Sequence, residues 1–148
     1  MKIYKKILCV FMLTLFGCTE RVAKSETKYE EETPVIEHSY SEVSDYELSW
    51  DSTFDVDESK YYVYFYSSTC SHCGELKNYI IEKALKNRDI YFVKGSSKDQ
   101  LTNDTKKLIG AEKPEDIWIL GYPSLLKIYN RKVTKNLAGT AQIKDELK

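Results

Sequence analysis

The sequence predicts an α/β domain, a central mixed β-sheet flanked by helices. Three stretches carry that expectation. Every residue of Tyr61-Tyr62-Val63-Tyr64-Phe65-Tyr66 is β-branched or aromatic, as in a strand covered on both faces. Leu76, Tyr79, Ile80, Ala84 and Leu85 then recur at helical spacing and form one apolar face. Asp89-Ile90-Tyr91-Phe92-Val93 follows as a second strand, which makes a right-handed strand–helix–strand crossover onto a parallel sheet.

The elements are justified in chain order. Lys2, Lys5 and Lys6 precede the apolar run Ile7 to Phe16. Ten residues rise only about 15 Å as a helix, roughly half of what a spanning helix needs, so residues 1–17 read as an export signal. Leu15-Phe16-Gly17-Cys18 resembles the lipobox of bacterial lipoproteins, which implies cleavage before Cys18 and lipidation of its thiol. Acyl chains at about 0.8 kcal/mol per buried methylene would hold the chain on a membrane. Residues 18–37 are polar and charged and read as a flexible tether. The domain is expected over 38–148, opening with a short strand and a weak helix around Asp45 to Trp50.

Beyond the crossover, 99–109 reads as a helix with Leu101, Leu108 and Ile109 inward and Gly110 as its stop. Glu112 to Asp116 reads as a loop. Ser124 to Tyr129 and Val133 to Leu137, joined at Asn130-Arg131, form a hairpin. A short closing helix carries Ile143 and Leu147, with Thr140 as its cap.

Chemistry concentrates at Cys70-Ser71-His72-Cys73, where the aromatic strand gives way to the helix. Cys9 would leave with the signal and Cys18 would carry lipid, so Cys70 and Cys73 remain as the thiols, in a compartment where disulfides persist. Thiol–disulfide exchange needs one thiolate to attack and a second thiol to resolve. Free N–H groups and the dipole at a helix start lower a thiol pKa from about 8.5 into the range ~3.5–7.5, which assigns Cys70 as nucleophile and the deeper Cys73 as resolving thiol. His72 would stabilise the Cys70 thiolate, whereas Glu75 would oppose it, so the direction of electron flow stays open. Zinc would need about four ligands, and only His38 and His72 stand beside the pair. A purely structural disulfide would close too small a loop to add much stability. No metal and no cofactor is expected.

Thr69-Cys70-Ser71-His72-Cys73 after an aromatic strand, Gly121-Tyr122-Pro123-Ser124 before a hairpin and Gly139 after it resemble the thioredoxin-like superfamily over roughly 38–148. The resemblance implies a thioredoxin-like fold and a redox-active Cys70–Cys73 disulfide. It implies a cis Pro123 packed on that pair, and backbone hydrogen bonds from Tyr122 to a substrate peptide, with Ser71 and His72 as modulators. The chain departs from the family in carrying Tyr64 where thioredoxins have a buried Asp, Thr69 for Trp, Ser71-His72 for Gly-Pro, and Arg131 for the usual turn Gly. General cytosolic reduction is therefore the least supported activity.

The expectation is a membrane-tethered, extracytoplasmic thiol–disulfide oxidoreductase, similar to thioredoxin-like lipoproteins that include accessory proteins of bacteriocin export. Its partners would be protein thiols or disulfides, a membrane redox partner, and the membrane itself through the lipid. A non-catalytic accessory module on the same scaffold is the alternative. Net charge is −1, which leaves no electrostatic case for nucleic acid. Locally, residues 61–148 hold 15 basic and 10 acidic side chains, read as solvated surface.

Overall fold

The computed structural model describes residues 36–148. The expected signal at 1–17 with Cys9, the expected lipid site Cys18 and the expected tether up to residue 35 lie outside the described residues. Among the described residues, no helix is long and apolar enough to cross a membrane.

Among the described residues, five strands form one sheet in the order β1-β3-β2-β4-β5. They are β1 Glu47–Leu48, β2 Lys60–Tyr66, β3 Ile90–Lys94, β4 Ser124–Tyr129 and β5 Lys132–Ala138. Helix α1, Ser71–Asn87, makes the crossover from β2 to the parallel β3, and α2, Thr140–Glu146, closes the chain. β4 runs antiparallel to β2, and β5 antiparallel to β4, so the sheet is mixed. β2 is central because both of its faces are apolar. Tyr62, Tyr64 and Tyr66 point into a core shared with α1, whereas Tyr61, Val63 and Phe65 join Leu108, Ile117 and Ile119 on the other side. That alternation is the period-two geometry of a strand.

Helix α1 buries Cys73, Leu76, Ile80, Ile81 and Ala84 against the sheet. Each large aliphatic among them contributes roughly 1.5–3 kcal/mol on burial. Leu85, expected inward, is instead 39% exposed, and Ile81 takes its place. At about 100° per residue, Leu85 lies about 120° from the centre of the buried stripe and Ile81 about 80°. Arg88, in the left-handed conformation, ends the helix.

Three further expectations are corrected. The order expected around Asp45 to Trp50 is reversed. A 3-10 helix, Tyr40–Tyr46, comes first, and β1 follows it. A capping box between Ser39 and Glu42 starts that helix, with Ser39 N–H donating to Glu42 Oε1 at 2.6 Å. β1 then pairs in parallel with β3.

Residues 99–109 form turns rather than a helix. Leu101 bridges to Ile119, with Thr102 N–H donating to Ile119 O at 2.9 Å and Ile119 N–H to Gln100 O at 3.0 Å. The Thr102 hydroxyl accepts from Asp104 N–H at 3.1 Å, and the Asp104 carboxylate from Lys106 N–H at 2.9 Å. These short polar side chains take backbone donors that a helix would use. Leu108 is buried as expected, but Leu101 is 55% and Ile109 47% exposed.

The cap of α2 is Gly139 at φ 79°, not Thr140, whose buried hydroxyl has no partner among the described residues. The hairpin turn has positive φ at both Asn130 (48°) and Arg131 (60°), the geometry of a type I′ connection. Arg131 therefore holds a conformation that glycine takes at lower cost.

Candidate active site

The end of β2 delivers Cys70 to the first turn of α1. Cys70 is the N-cap residue, in extended backbone conformation, and its Sγ accepts a hydrogen bond from Cys73 N–H at 3.2 Å. The N-terminus of α1 thus directs a backbone donor at the sulfur. Cys73 lies one turn inside. It is 1% exposed and packs in the core with Leu76 and Tyr64, whereas Cys70 is half-buried and reachable from solvent. The two sulfur atoms are 2.6 Å apart and both are free thiols.

Burial pushes the Cys73 thiol well above its ordinary value, and the hydrogen bond to Cys70 pushes it further in the same direction. Cys73 is therefore held as a protonated thiol while Cys70 faces outward. That division suits a resolving and an attacking sulfur.

Across from the pair, the Tyr122–Pro123 peptide bond is cis. The Tyr122 carbonyl oxygen stands 3.4 Å from Cys70 Sγ and accepts from its thiol. Pro123 is buried, and its own carbonyl accepts from Gly139 N–H at 3.0 Å, which ties this loop to the start of α2. Ser71 and His72 are exposed on the outer side of the turn. The His72 ring faces Glu75, with Nδ1 3.3 Å from Oε2. Among the described residues, no hydrogen bond joins it to either sulfur.

A cleft of about 330 Å³ opens beside the sulfurs, lined by Tyr40, Tyr66, both cysteines, Lys77 and Lys94 among others. Tyr40 stacks on Tyr66 with ring centroids 3.9 Å apart, which builds its aromatic wall. Sequence reasoning had not placed Tyr40 here, because it reaches the site from the 3-10 helix by a contact that no local pattern marks. Tyr64 has a buried hydroxyl with no hydrogen-bond partner among the described residues, and desolvation pushes its ionisation far up. It is a neutral group beneath the thiols, not a charged one. Among the described residues, no three His, Cys, Asp or Glu side chains gather into a metal site.

No known family model and no curated protein matches the sequence. Solved structures similar to it include thioredoxin f2 of Chlamydomonas reinhardtii, at 17% identity and a TM-score of 0.45 over 68% of this chain and 88% of that one. Two thioredoxin structures from Plasmodium falciparum are similar at 16% identity. The oxidised protein in solution has a TM-score of 0.44 over 66% of this chain and 86% of its own. The other has 0.45 over 68% and 94%. The sheet order β1-β3-β2-β4-β5, the crossover helix after β2 and a Cys-x-x-Cys pair at that helix's start make this a thioredoxin-like α/β fold.

Proposed function

We propose that the chain is a thiol–disulfide oxidoreductase acting on protein disulfides or dithiols. The observation that carries this reading is the asymmetry of two adjacent sulfurs. Cys70 is reachable and capped by a helix N–H, while Cys73 is 2.6 Å away and sealed in the core.

In the reducing direction, the Cys70 thiolate attacks one sulfur of a client disulfide. A mixed disulfide forms and one client thiolate leaves. Cys73 then gives up its proton and attacks Cys70 Sγ. The second client thiolate departs, the client has gained two electrons, and the Cys70–Cys73 disulfide has formed. Oxidation of a client dithiol is the same sequence reversed. In either direction a membrane redox partner would restore the starting state.

Tyr122 and Pro123 would border the docking groove, and Ser71 and His72 would tune the pair from outside. Lipid on Cys18 and the tether over 18–37 would place the domain at the extracytoplasmic face of a bacterial membrane. The composition of the leader supports that placement.

A Cys73→Ser variant tests the activity. It is expected to accumulate mixed disulfides through Cys70 that a reductant releases, visible as shifted bands on non-reducing gels. Absence of adducts, together with full function of a doubly Cys→Ser form, would favour the non-catalytic accessory module instead.

A further inference from the structure

The loop that follows β3 grips the residue facing the nucleophile. The Tyr122 phenol donates to Asp99 Oδ2. The same carboxylate also accepts from Ser96, at 3.0 Å from the backbone N–H and 2.7 Å from the hydroxyl. Three donors therefore converge on one carboxylate, and two of them fix its orientation before Tyr122 arrives. Gly95 completes the arrangement. A Cβ built there would run into the Tyr122 phenol, so the ring occupies the space that a side chain would take. Gly95 is itself held to β2 by its N–H, which donates to Tyr66 O at 2.6 Å. The chain from the end of β3 through Gly95, Ser96 and Asp99 thus forms a cradle for one aromatic ring.

That ring belongs to the residue whose carbonyl oxygen lies 3.4 Å from Cys70 Sγ. The phenol and the carbonyl are parts of one residue. Holding the ring therefore restrains the peptide plane that faces the attacking sulfur. Burial and the Asp99 carboxylate both push the Tyr122 phenol upward in pKa, so it remains a neutral hydrogen-bond donor.

We propose that Asp99, oriented by Ser96, is a positioning residue that clamps Tyr122 through its phenol and so sets the backbone edge on which a protein client docks beside Cys70. The inference rests on the oxidoreductase reading and deepens it. It singles out clients that present their disulfide on an extended peptide able to pair with that edge. A small disulfide has no backbone with which to use it.

The test compares two substrates, a disulfide-bonded peptide and a small aromatic disulfide. For each variant it reads the ratio of the two second-order rate constants. Asp99→Ala and Tyr122→Phe are each expected to lower the peptide-to-small-disulfide ratio about tenfold. The double variant is expected to lower it no further, because the two side chains act as one unit. Asp99→Asn keeps the shape and one acceptor oxygen, so it should fall between Asp99→Ala and the native chain. It also provides a variant that folds if Asp99→Ala does not, with folding followed by near-ultraviolet circular dichroism. Ratios within twofold of the native value in Asp99→Asn and Tyr122→Phe would overturn the clamp and leave the oxidoreductase reading in place. So would losses that add in the double variant. A native chain that exchanges with neither substrate would overturn the reading and the clamp together.

Discussion

The carbonyl oxygen of Tyr122 stands 3.4 Å from Cys70 Sγ, although 52 positions separate the two residues in the chain. One belongs to the turn into α1 and the other to the turn into β4. They meet because β2 and β4 are antiparallel neighbours, with Phe65 opposite Ser124. The end of one strand and the start of the other therefore lie at the same edge of the sheet. This juxtaposition turns a pair of thiols into a site with a surface beside it.

The two sulfurs should differ in reactivity. With iodoacetamide near neutral pH, Cys70 is expected to be alkylated at least ~10-fold faster than Cys73, because only one of them is reachable and the other is held protonated by burial. Mass mapping over time checks this. In denaturant the difference should vanish, and equal rates in the folded chain would contradict the assigned roles.

Glu146 should make stability depend on acid. Its partial burial works to raise its pKa, but hydrogen bonds from Lys135, Lys127 and Tyr62 outweigh that and bring it from 4.5 down to about 2. A carboxylate depressed on folding contributes stability that is complete above its unfolded value and lost as pH falls toward the folded one. Glu146→Gln is therefore expected to cost about 2 kcal/mol in urea unfolding at neutral pH. The difference from the native chain should shrink between pH 4.5 and about 2. A difference independent of pH would show that the ion pairs contribute nothing.

The face of α1 can be checked by truncation. Ile80 is fully buried, so Ile80→Ala should lose about 2–5 kcal/mol. Leu85→Ala, at a position 39% exposed, should lose under about 1 kcal/mol. Comparable losses at both positions, measured by chemical denaturation, would restore the face expected from periodicity alone.

The hairpin turn should tolerate improvement. Arg131 sits at φ 60° after Asn130 at 48°, and Asn-Gly is the preferred pair for that geometry. Arg131→Gly is expected to stabilise the chain by about 0.5–1 kcal/mol, with a small rise in Tm. The ion pair it removes, to Asp55 at 3.8 Å, is exposed on both sides and offsets little of that gain. A fall in Tm would mean that the turn is held by contacts of the arginine.

The sequence alone determined the strand–helix–strand unit, the hairpin, and the position of Cys70 at the mouth of α1. Each of these follows from short-range sterics and from which side chains must leave water, and both repeat at the period of the local backbone. Where local signals conflicted with a distant partner, the partner won. Residues 99–109 carry helical spacing, yet Leu101 is taken by Ile119 and the polar side chains of Thr102 and Asp104 take the backbone donors. Only the tertiary structure decided that Asp99 holds Tyr122 and that Tyr40 walls the cleft, whereas the resemblance, not any local pattern, had already implied that Tyr122 and Pro123 stand beside Cys70. Such contacts join segments whose mutual approach is set by the packing of the whole sheet, and no window of neighbouring residues contains the information.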